Sequence, residues 1–334
     1  MLATLLAAAT MAQTATIKVY VVSYFPTVGD QMDRTVTGDV GGSYADLKAK
    51  TERLTQEACE ALELGSRFRG YKLDGPPALR YEVVGKTEFR EAMPVLPKRP
   101  GAQVPLTDYG AIMRRINAER RVKEEGVQEI WIWGYHGGVL DLWESNMSSP
   151  FGDVSNSDRN QNDLPVFDRT YTVYHYNYGR GLGEMLENHM HQFEHLLNHI
   201  DGRDSTPPDK WNELLFWGKF VGSDASHKIV TNPARCGWTH YAPNSERDYD
   251  WANPRYVETD IEDWKPDGIG KTQMMNADRW DRDAIKWRIY WMQAIPSLGH
   301  ELTYQGKKLR NWWSFKSHWD QAKRENWTLV EKES

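Results

Sequence analysis

The feature that most constrains the fold is a run at residues 129–135, Glu-Ile-Trp-Ile-Trp-Gly-Tyr, which is apolar on both faces. Such a strand is typical of the centre of a sheet that helices cover on both sides. Strand-like runs at residues 17–25, 79–84 and 171–178 accompany it, with amphipathic helical stretches between the first three strands. The order β-α-β-α-β-β-α predicts an α/β fold with a largely parallel central sheet flanked by helices.

Helix boundaries are marked by polar residues. Ser43, followed three positions later by Asp46, matches a capping box ahead of an apolar stripe. Thr107 is the predicted cap of the next helix. A further helix is predicted at residues 181–200, with a core stripe made of Leu186, Met190, Phe193, Leu197 and Ile200. After it, residues 211–221 and 281–295 are predicted helices among irregular segments.

Tryptophan and histidine are confined to the later part of the chain. All fifteen tryptophans and all ten histidines lie at or after Trp131. We therefore expect an α/β core at residues 16–204 and a tryptophan-rich, irregular and helical C-terminal part at residues 205–334, packed on that core. Whether the C-terminal part forms a separate domain is left open.

The first fifteen residues are apolar and uncharged and end in small residues. They resemble the back half of a secretory signal peptide without its positively charged start, and they predict a secreted or periplasmic protein. No later segment approaches the roughly 20 apolar residues of a membrane span, so none is predicted. Cys59 and Cys236 allow either one long-range disulfide or two buried thiols.

The net charge excludes nucleic acid as the main partner. The chain has 41 basic and 47 acidic residues, a net charge of −6, whereas affinity for a phosphate backbone comes mostly from lysine and arginine. We therefore expect a small-molecule, peptide or polysaccharide substrate.

Polar residues follow the central strands. In open α/β sheets, ligands bind outside the carboxyl ends of the strands. His136 and Glu144 follow the third strand, and Asn177 and Glu184 follow the fourth. We expect these residues to share one cleft.

The densest signal is a group of four histidines within residues 189–199. His191 and His195 are one helical turn apart, so their imidazoles can reach one metal ion. Their segment, His-Gln-Phe-Glu-His, resembles the inverted zincin pattern H-x-x-E-H over five residues, which implies zinc bound by both histidines and Glu194 as the base that activates water. Glu187 to His195 spans about 12 Å of helix, so a single ion can engage only one adjacent pair.

A catalytic zinc needs a third protein ligand and an open position for water. His240, in a turn-rich loop, and His136 are the candidates for this ligand, and Glu194 or Glu144 for the general base. The sequence thus predicts an exported metal-dependent hydrolase that uses metal-activated water on a peptide, ester or glycan-linked substrate.

Two alternatives remain open. One is a metal-independent carbohydrate-active enzyme, with tryptophans that stack on sugar rings and with carboxylates from Glu144 or residues 258–263 as acid and base. The other is a polymer-binding protein without catalysis.

A loop with alternating oxygen side chains also predicts a calcium site, although it is not an EF-hand. Its candidate ligands are Asp153, Asp158, Asn160, Asn162 and Asp163.

Overall fold

The computed structural model describes residues 13–136 and 138–332. Most of the predicted signal peptide, residues 1–12, lies outside the described residues. Within the described residues, no helix combines the length and the apolar character needed to cross a membrane.

The chain divides into two compact units. The first, here called the sheet unit, comprises Thr16–Glu60 and Tyr81–Gln192. The second, here called the tryptophan unit, comprises Ala61–Arg80, the described residues from Phe193 onward and residues 13–15.

The central sheet has five strands, in the spatial order β2-β1-β3-β5-β4. Their bounds are β1 Ala15–Tyr24, β2 Leu79–Phe89, β3 Glu129–Gly134, β4 Ser145–Ser148 and β5 Tyr171–Asn177. Strands β1, β3 and β5 pair in parallel, with Val21 opposite Trp131 and Trp131 opposite Tyr174. Strand β4 is antiparallel to β5. The predicted α/β fold with a mostly parallel sheet is therefore confirmed.

Four α-helices that begin in the sheet unit are α1 Tyr44–Gly65, α2 Tyr109–Arg115, α3 Ala118–Lys123 and α4 Leu182–Ile200. Ser43 caps α1 as the sequence predicts, because the Asp46 backbone N–H donates to Ser43 Oγ at 3.1 Å. The Asp46 carboxylate accepts from the Ser43 hydroxyl at 2.7 Å, in place of the backbone N–H of a full capping box. The predicted Thr107 cap of α2 is wrong. Asp108 caps this helix by accepting from the Ala111 N–H, while the Thr107 hydroxyl donates to the carbonyl of Asp141.

Strand β3 is buried along its whole length, as its apolar sequence predicts. Trp133 Nε1 donates to Thr55 Oγ1 on α1 at 3.0 Å, and Trp131 Nε1 donates to the Glu129 carboxylate at 2.8 Å. Each indole therefore buries its rings without leaving its polar N–H unsatisfied.

Short elements make up the rest of the fold. In the sheet unit they are the strand pair Thr27–Val28 with Gln31–Met32 and the helical turn Arg34–Thr37. In the tryptophan unit they are the 3₁₀ helices Arg203–Ser205, Pro208–Glu213 and Ala277–Trp280, the π-helix Leu215–Val221, the α-helices Ala284–Met292, Ser314–Ser317 and Trp319–Arg324, and the strand pairs Val257–Thr259 with Gln273–Met275 and Thr303–Tyr304 with Lys307–Lys308.

The predicted helical stretch at residues 211–221 is present but interrupted at Leu214. Leu214 adopts an extended conformation, with ψ of 145°, and separates the 3₁₀ helix from the π-helix. Gly218 then packs so closely that a Cβ would lie 2.0 Å from the Asn212 carbonyl oxygen. The predicted helix at residues 281–295 is present but shorter, and Asp283 caps its start by accepting from two backbone N–H groups.

Tryptophans form the core of the tryptophan unit. Trp264, Trp312 and Trp291 surround Phe220, with ring centroids 5.1, 5.5 and 6.5 Å from its own. Of the fifteen tryptophans of the chain, twelve are buried. Most indole faces therefore pack against protein and are not available to stack on a sugar.

Candidate metal centre

Helix α4 begins where strand β5 ends. Asn177, the last residue of β5, accepts from the Gly179 N–H with its side chain at 2.8 Å and from the Arg180 N–H with its carbonyl at 3.0 Å. The Tyr178 N–H donates to the carbonyl of Gly134 at 3.0 Å, which ties this turn to the end of β3. The first turns of α4 therefore lie at the carboxyl edge of the sheet, where α/β folds bind ligands.

A polar stripe runs along α4 at spacings of three and four residues, so its members share one face of the helix. They are Glu184, Glu187, Asn188, His191 and Gln192. None of them is exposed, and Asn188 and Gln192 are 1% exposed. Buried polar side chains of this kind need polar partners or a ligand.

Glu144 is held near this stripe by a chain of hydrogen bonds. The Gln192 side-chain oxygen accepts from Ser145 Oγ at 3.0 Å and from the Asn156 N–H at 3.2 Å. Asn156 in turn donates from its side chain to the Glu144 carboxylate at 2.9 Å. The four acid and imidazole groups Glu144, Glu184, Glu187 and His191 are called the carboxylate cluster below.

Glu184 is the most perturbed acid of the cluster. Its pKa is raised from 4.5 to about 7, mainly by burial and to a smaller extent by the charges of Glu144 and Glu187. Arg180, 3.4 Å away, and the N–H of Asn177 lower this pKa, but their effect is smaller than that of burial. A carboxyl group with this pKa can both take up and release a proton near neutral pH.

Glu187 and His191 form a pair suited to a metal ion. Glu187 Oε1 and His191 Nε2 are 3.7 Å apart, and the two side chains are 16% and 12% exposed. This separation exceeds that of a hydrogen bond. Two ligands of a tetrahedral zinc are about 3.3 Å apart, given bond lengths of about 2.0–2.1 Å, so a small adjustment brings both atoms to one ion.

His136 lies at the end of β3, as the sequence predicts. Its Nδ1 lies 2.6 Å from the carbonyl oxygen of Leu140 and donates to it. Nearby, His175 is buried, and its Nδ1 is 3.0 Å from the Tyr109 hydroxyl. Burial, with the charge of His136, lowers the pKa of His175 to about 3, so this imidazole is neutral.

The other predicted site residues belong to the tryptophan unit. Glu194 is 5% exposed, and its carboxylate accepts from the Thr239 N–H at 2.8 Å, which gives it a structural partner. His195 follows on the next turn of α4 and is half-buried. The ring of His240 lies 4.8 Å from that of Trp238 and 4.1 Å from that of Tyr249. The assignment of His195 and His240 to a metal, and of Glu194 as general base, remains a prediction.

The predicted calcium loop separates into two kinds of residue. Asp158, Asn160 and Asn162 are exposed, and Asp158 is 3.9 Å from Arg99 in a surface ion pair. Asp153 and Asp163 are half-buried. Burial raises the pKa of both carboxyl groups, to about 6 for Asp163.

The sequence interpretation gave no special weight to Glu187 and Glu184, which the structure places on one face of α4. It treated Glu187 as one of several neighbours of His191, and it placed Glu184 at the sheet edge without a function. The signal available in the sequence was the polar stripe on α4, because polar residues at helical spacing beside a core stripe mark a face that is buried against polar groups.

Comparison of the chain with protein-family models, with curated proteins and with solved structures finds no match.

Proposed function

We propose that the protein is a metal-dependent hydrolase whose metal, a zinc ion, is bound by Glu187 and His191. The observation that carries this proposal is the 3.7 Å separation of Glu187 Oε1 and His191 Nε2, both on one face of α4 and both shielded from solvent. Carboxylate and imidazole are ordinary zinc ligands, and two acids beside them favour a cation electrostatically.

Glu187 takes the place that the sequence hypothesis gives to His195, because Glu187 and His195 lie too far apart along the helix to bind one ion. The candidates for the third ligand remain His136 and His240, as in that hypothesis. A catalytic zinc keeps one position for water and lowers the pKa of that water to about 7. The substrate would be a peptide, an ester or a glycan-linked amide, since metal-activated water attacks each of these.

Glu184 is the proposed general base. With a pKa of about 7, Glu184 would take up and release a proton beside the residues that would hold the zinc ion, which would itself supply an activated water. It takes the role that the sequence hypothesis gives to Glu194, whose carboxylate instead accepts from the Thr239 N–H. Glu144, whose charge acts on Glu184, is the second acid of the proposed site, and His136 keeps the assisting role that the sequence hypothesis gives it.

The test is hydrolysis of a panel of fluorogenic peptides, esters and glycan-linked amides by the full chain. Activity should be lost with a chelator and return with zinc. Glu184→Gln should lower kcat by roughly 10²–10⁴-fold without loss of metal. Its control is Glu124→Gln, a glutamate whose side chain is 72% exposed. Chelator-resistant hydrolysis of peptides or esters would contradict the proposal.

A second candidate is metal-independent glycoside hydrolysis, favoured by the same raised pKa of Glu184. A glycosidase needs one protonated carboxyl near neutral pH and one ionised partner, and Glu184 with Glu144 would supply this pair. Glycan turnover that persists in a chelator and disappears in both Glu184→Gln and Glu144→Gln would select this function over the first.

A further inference from the structure

The geometry points to a nucleophilic lysine in the tryptophan unit, Lys323, which accepts acyl groups from activated acyl donors with the help of His199 and Asp204. All three residues lie in the segment of that unit that begins at Phe193. The reaction is independent of the proposed hydrolase activity and of its metal ion.

Three polar side chains from separate helical elements form a continuous chain of contacts. Lys323 Nζ, on the helix Trp319–Arg324, is 2.9 Å from Nε2 of His199, in the last turn of α4. Nδ1 of the same imidazole is 2.8 Å from Oδ2 of Asp204, on the 3₁₀ helix Arg203–Ser205. A nucleophile within hydrogen-bonding distance of a base, which is in turn oriented by a third group, is the arrangement that activates nucleophilic side chains.

The two contacts of the imidazole agree on its protonation. A lysine ammonium group has no acceptor, so His199 Nε2 accepts from Lys323. An ionised carboxylate only accepts, so His199 Nδ1 carries the hydrogen that is donated to Asp204. The lone pair of Nε2 is therefore directed at the lysine, and the Asp204 carboxylate is placed to stabilise the imidazolium that forms when His199 takes up a proton.

The surroundings of Lys323 favour its neutral, nucleophilic amine. Burial lowers the pKa of Lys323, and the charge of Asp204 raises it by a smaller amount. Nζ also lies 5.5 Å from the ring centroid of Trp319, a side chain that is 4% exposed. A lysine amine partly withdrawn from water in this way is more often unprotonated than one at the surface.

A small reagent can reach these groups from solvent. Lys323 is half-buried, and the side chains of His199 and Asp204 are 28% and 39% exposed. The lysine is thus sheltered enough to be activated and open enough to be modified.

An amine nucleophile selects carbonyl compounds with a good leaving group, such as acyl phosphates. Nζ of Lys323 attacks the carbonyl carbon, the carbon–nitrogen bond forms, and the bond from that carbon to the phosphate oxygen breaks, so that phosphate leaves with the electron pair. The lysine loses two protons, one before the attack and one after it, and each passes through His199 Nε2 to water. The product is an N-acyl-lysine, and no electron is gained or lost.

The experiment is acetylation of the full chain by acetyl phosphate in a chelator, with acetyl-lysine measured at each position by peptide mass spectrometry. Lys323 should be acetylated at least about tenfold faster than Lys210, an exposed lysine of the same unit. Its rate should begin to rise at a lower pH than that of Lys210, because burial lowers the pKa of Lys323.

Variants of the two assisting residues test their roles. Asp204→Asn should slow acetylation of Lys323 by about tenfold, because the imidazolium loses its carboxylate partner. The matched control is Asp209→Asn, at an exposed aspartate on the next 3₁₀ helix, and it should leave the rate unchanged. His199→Gln should slow acetylation of Lys323 by roughly 10²-fold and leave that of Lys210 unchanged.

Lys323→Arg separates this site from the proposed hydrolase. The variant should lose the fast acetylation while it hydrolyses the fluorogenic panel as the wild type does. The proposal is refuted if Lys323 in the wild type reacts no faster than Lys210, or if Asp204→Asn and Asp209→Asn acetylate Lys323 at the same rate.

Discussion

Replacing Glu184 by glutamine tests the electrostatics of the carboxylate cluster directly. Burial raises the pKa of Glu184 from 4.5 to about 7, so the folded protein binds this proton more tightly than the unfolded chain does. The contribution of Glu184 to stability is therefore complete below pH 4.5 and is lost as the pH rises from 4.5 to 7. Glutamine is neutral throughout and removes this dependence.

The magnitude follows from the shift. One pKa unit corresponds to about 1.4 kcal/mol, so a rise from 4.5 to about 7 amounts to about 3 kcal/mol. The side chain is only 17% exposed, which limits screening by solvent. At pH 8 and without metal, Glu184→Gln should therefore be more stable than the wild type by about 2–3 kcal/mol, and at pH 4.5 the two should be nearly equal.

Urea unfolding followed by tryptophan fluorescence, in a chelator and at several pH values between 4.5 and 8, measures this difference. Glu124→Gln, at a side chain that is 72% exposed, serves as the control and should show no such trend. A difference between Glu184→Gln and the wild type that is constant across this pH range would refute the reasoning.

Two further predictions concern buried polar groups. Arg235 and Asp260 form an ion pair at 2.7 Å, with side chains 7% and 0% exposed. Arg235→Ala should lower the free energy of unfolding in urea by about 3–5 kcal/mol, because it leaves the buried aspartate without its ion-pair partner. A loss below about 1 kcal/mol would contradict this. The pKa of His175 is lowered to about 3 by burial, so its imidazole should stay neutral in NMR titration down to pH 5, where an ordinary histidine is charged. Because the unfolded chain takes up this proton more readily, His175 should make the protein less stable as the pH falls below 6.5.

The sheet could be predicted because the residue types within most of its strands are themselves typical of strands. Strands β1, β3 and β5 are rich in β-branched and aromatic residues, and β3 is apolar on both faces, which only a central strand can be. Strand β4, Ser-Asn-Met-Ser, could not be predicted, although all four residues are buried. Its two serine side chains bond to residues distant in sequence, Ser145 to Gln192 and Ser148 to the carbonyl of Pro165.

The broken helix in the tryptophan unit shows a second limit. Residues 211–221 have the composition of a helix, and the interruption comes from the extended Leu214 and from the close approach of Gly218 to Asn212. Neither of these can be recognised from helical spacing, because both depend on how neighbouring segments pack.

The position of the candidate site at the carboxyl edge of the sheet followed from the strand order. The sequence could not decide between the candidate metal ligands, because Glu187 and His195 both lie four residues from His191, on either side of it. Only the structure gives the 3.7 Å separation between His191 and Glu187. Likewise, the pKa of Glu184 depends on burial, which composition and spacing do not report.

The most direct test of the metal centre is elemental analysis of the purified full chain and three variants. The wild type should contain about one zinc ion per chain. The control variant His199→Ala should contain as much, because His199 lies on the same helix but pairs with Asp204 at 2.8 Å. Glu187→Gln and His191→Ala should lose most of that metal while remaining folded by circular dichroism. A wild-type protein without transition metal, or folded Glu187 and His191 variants that keep it, would contradict the account.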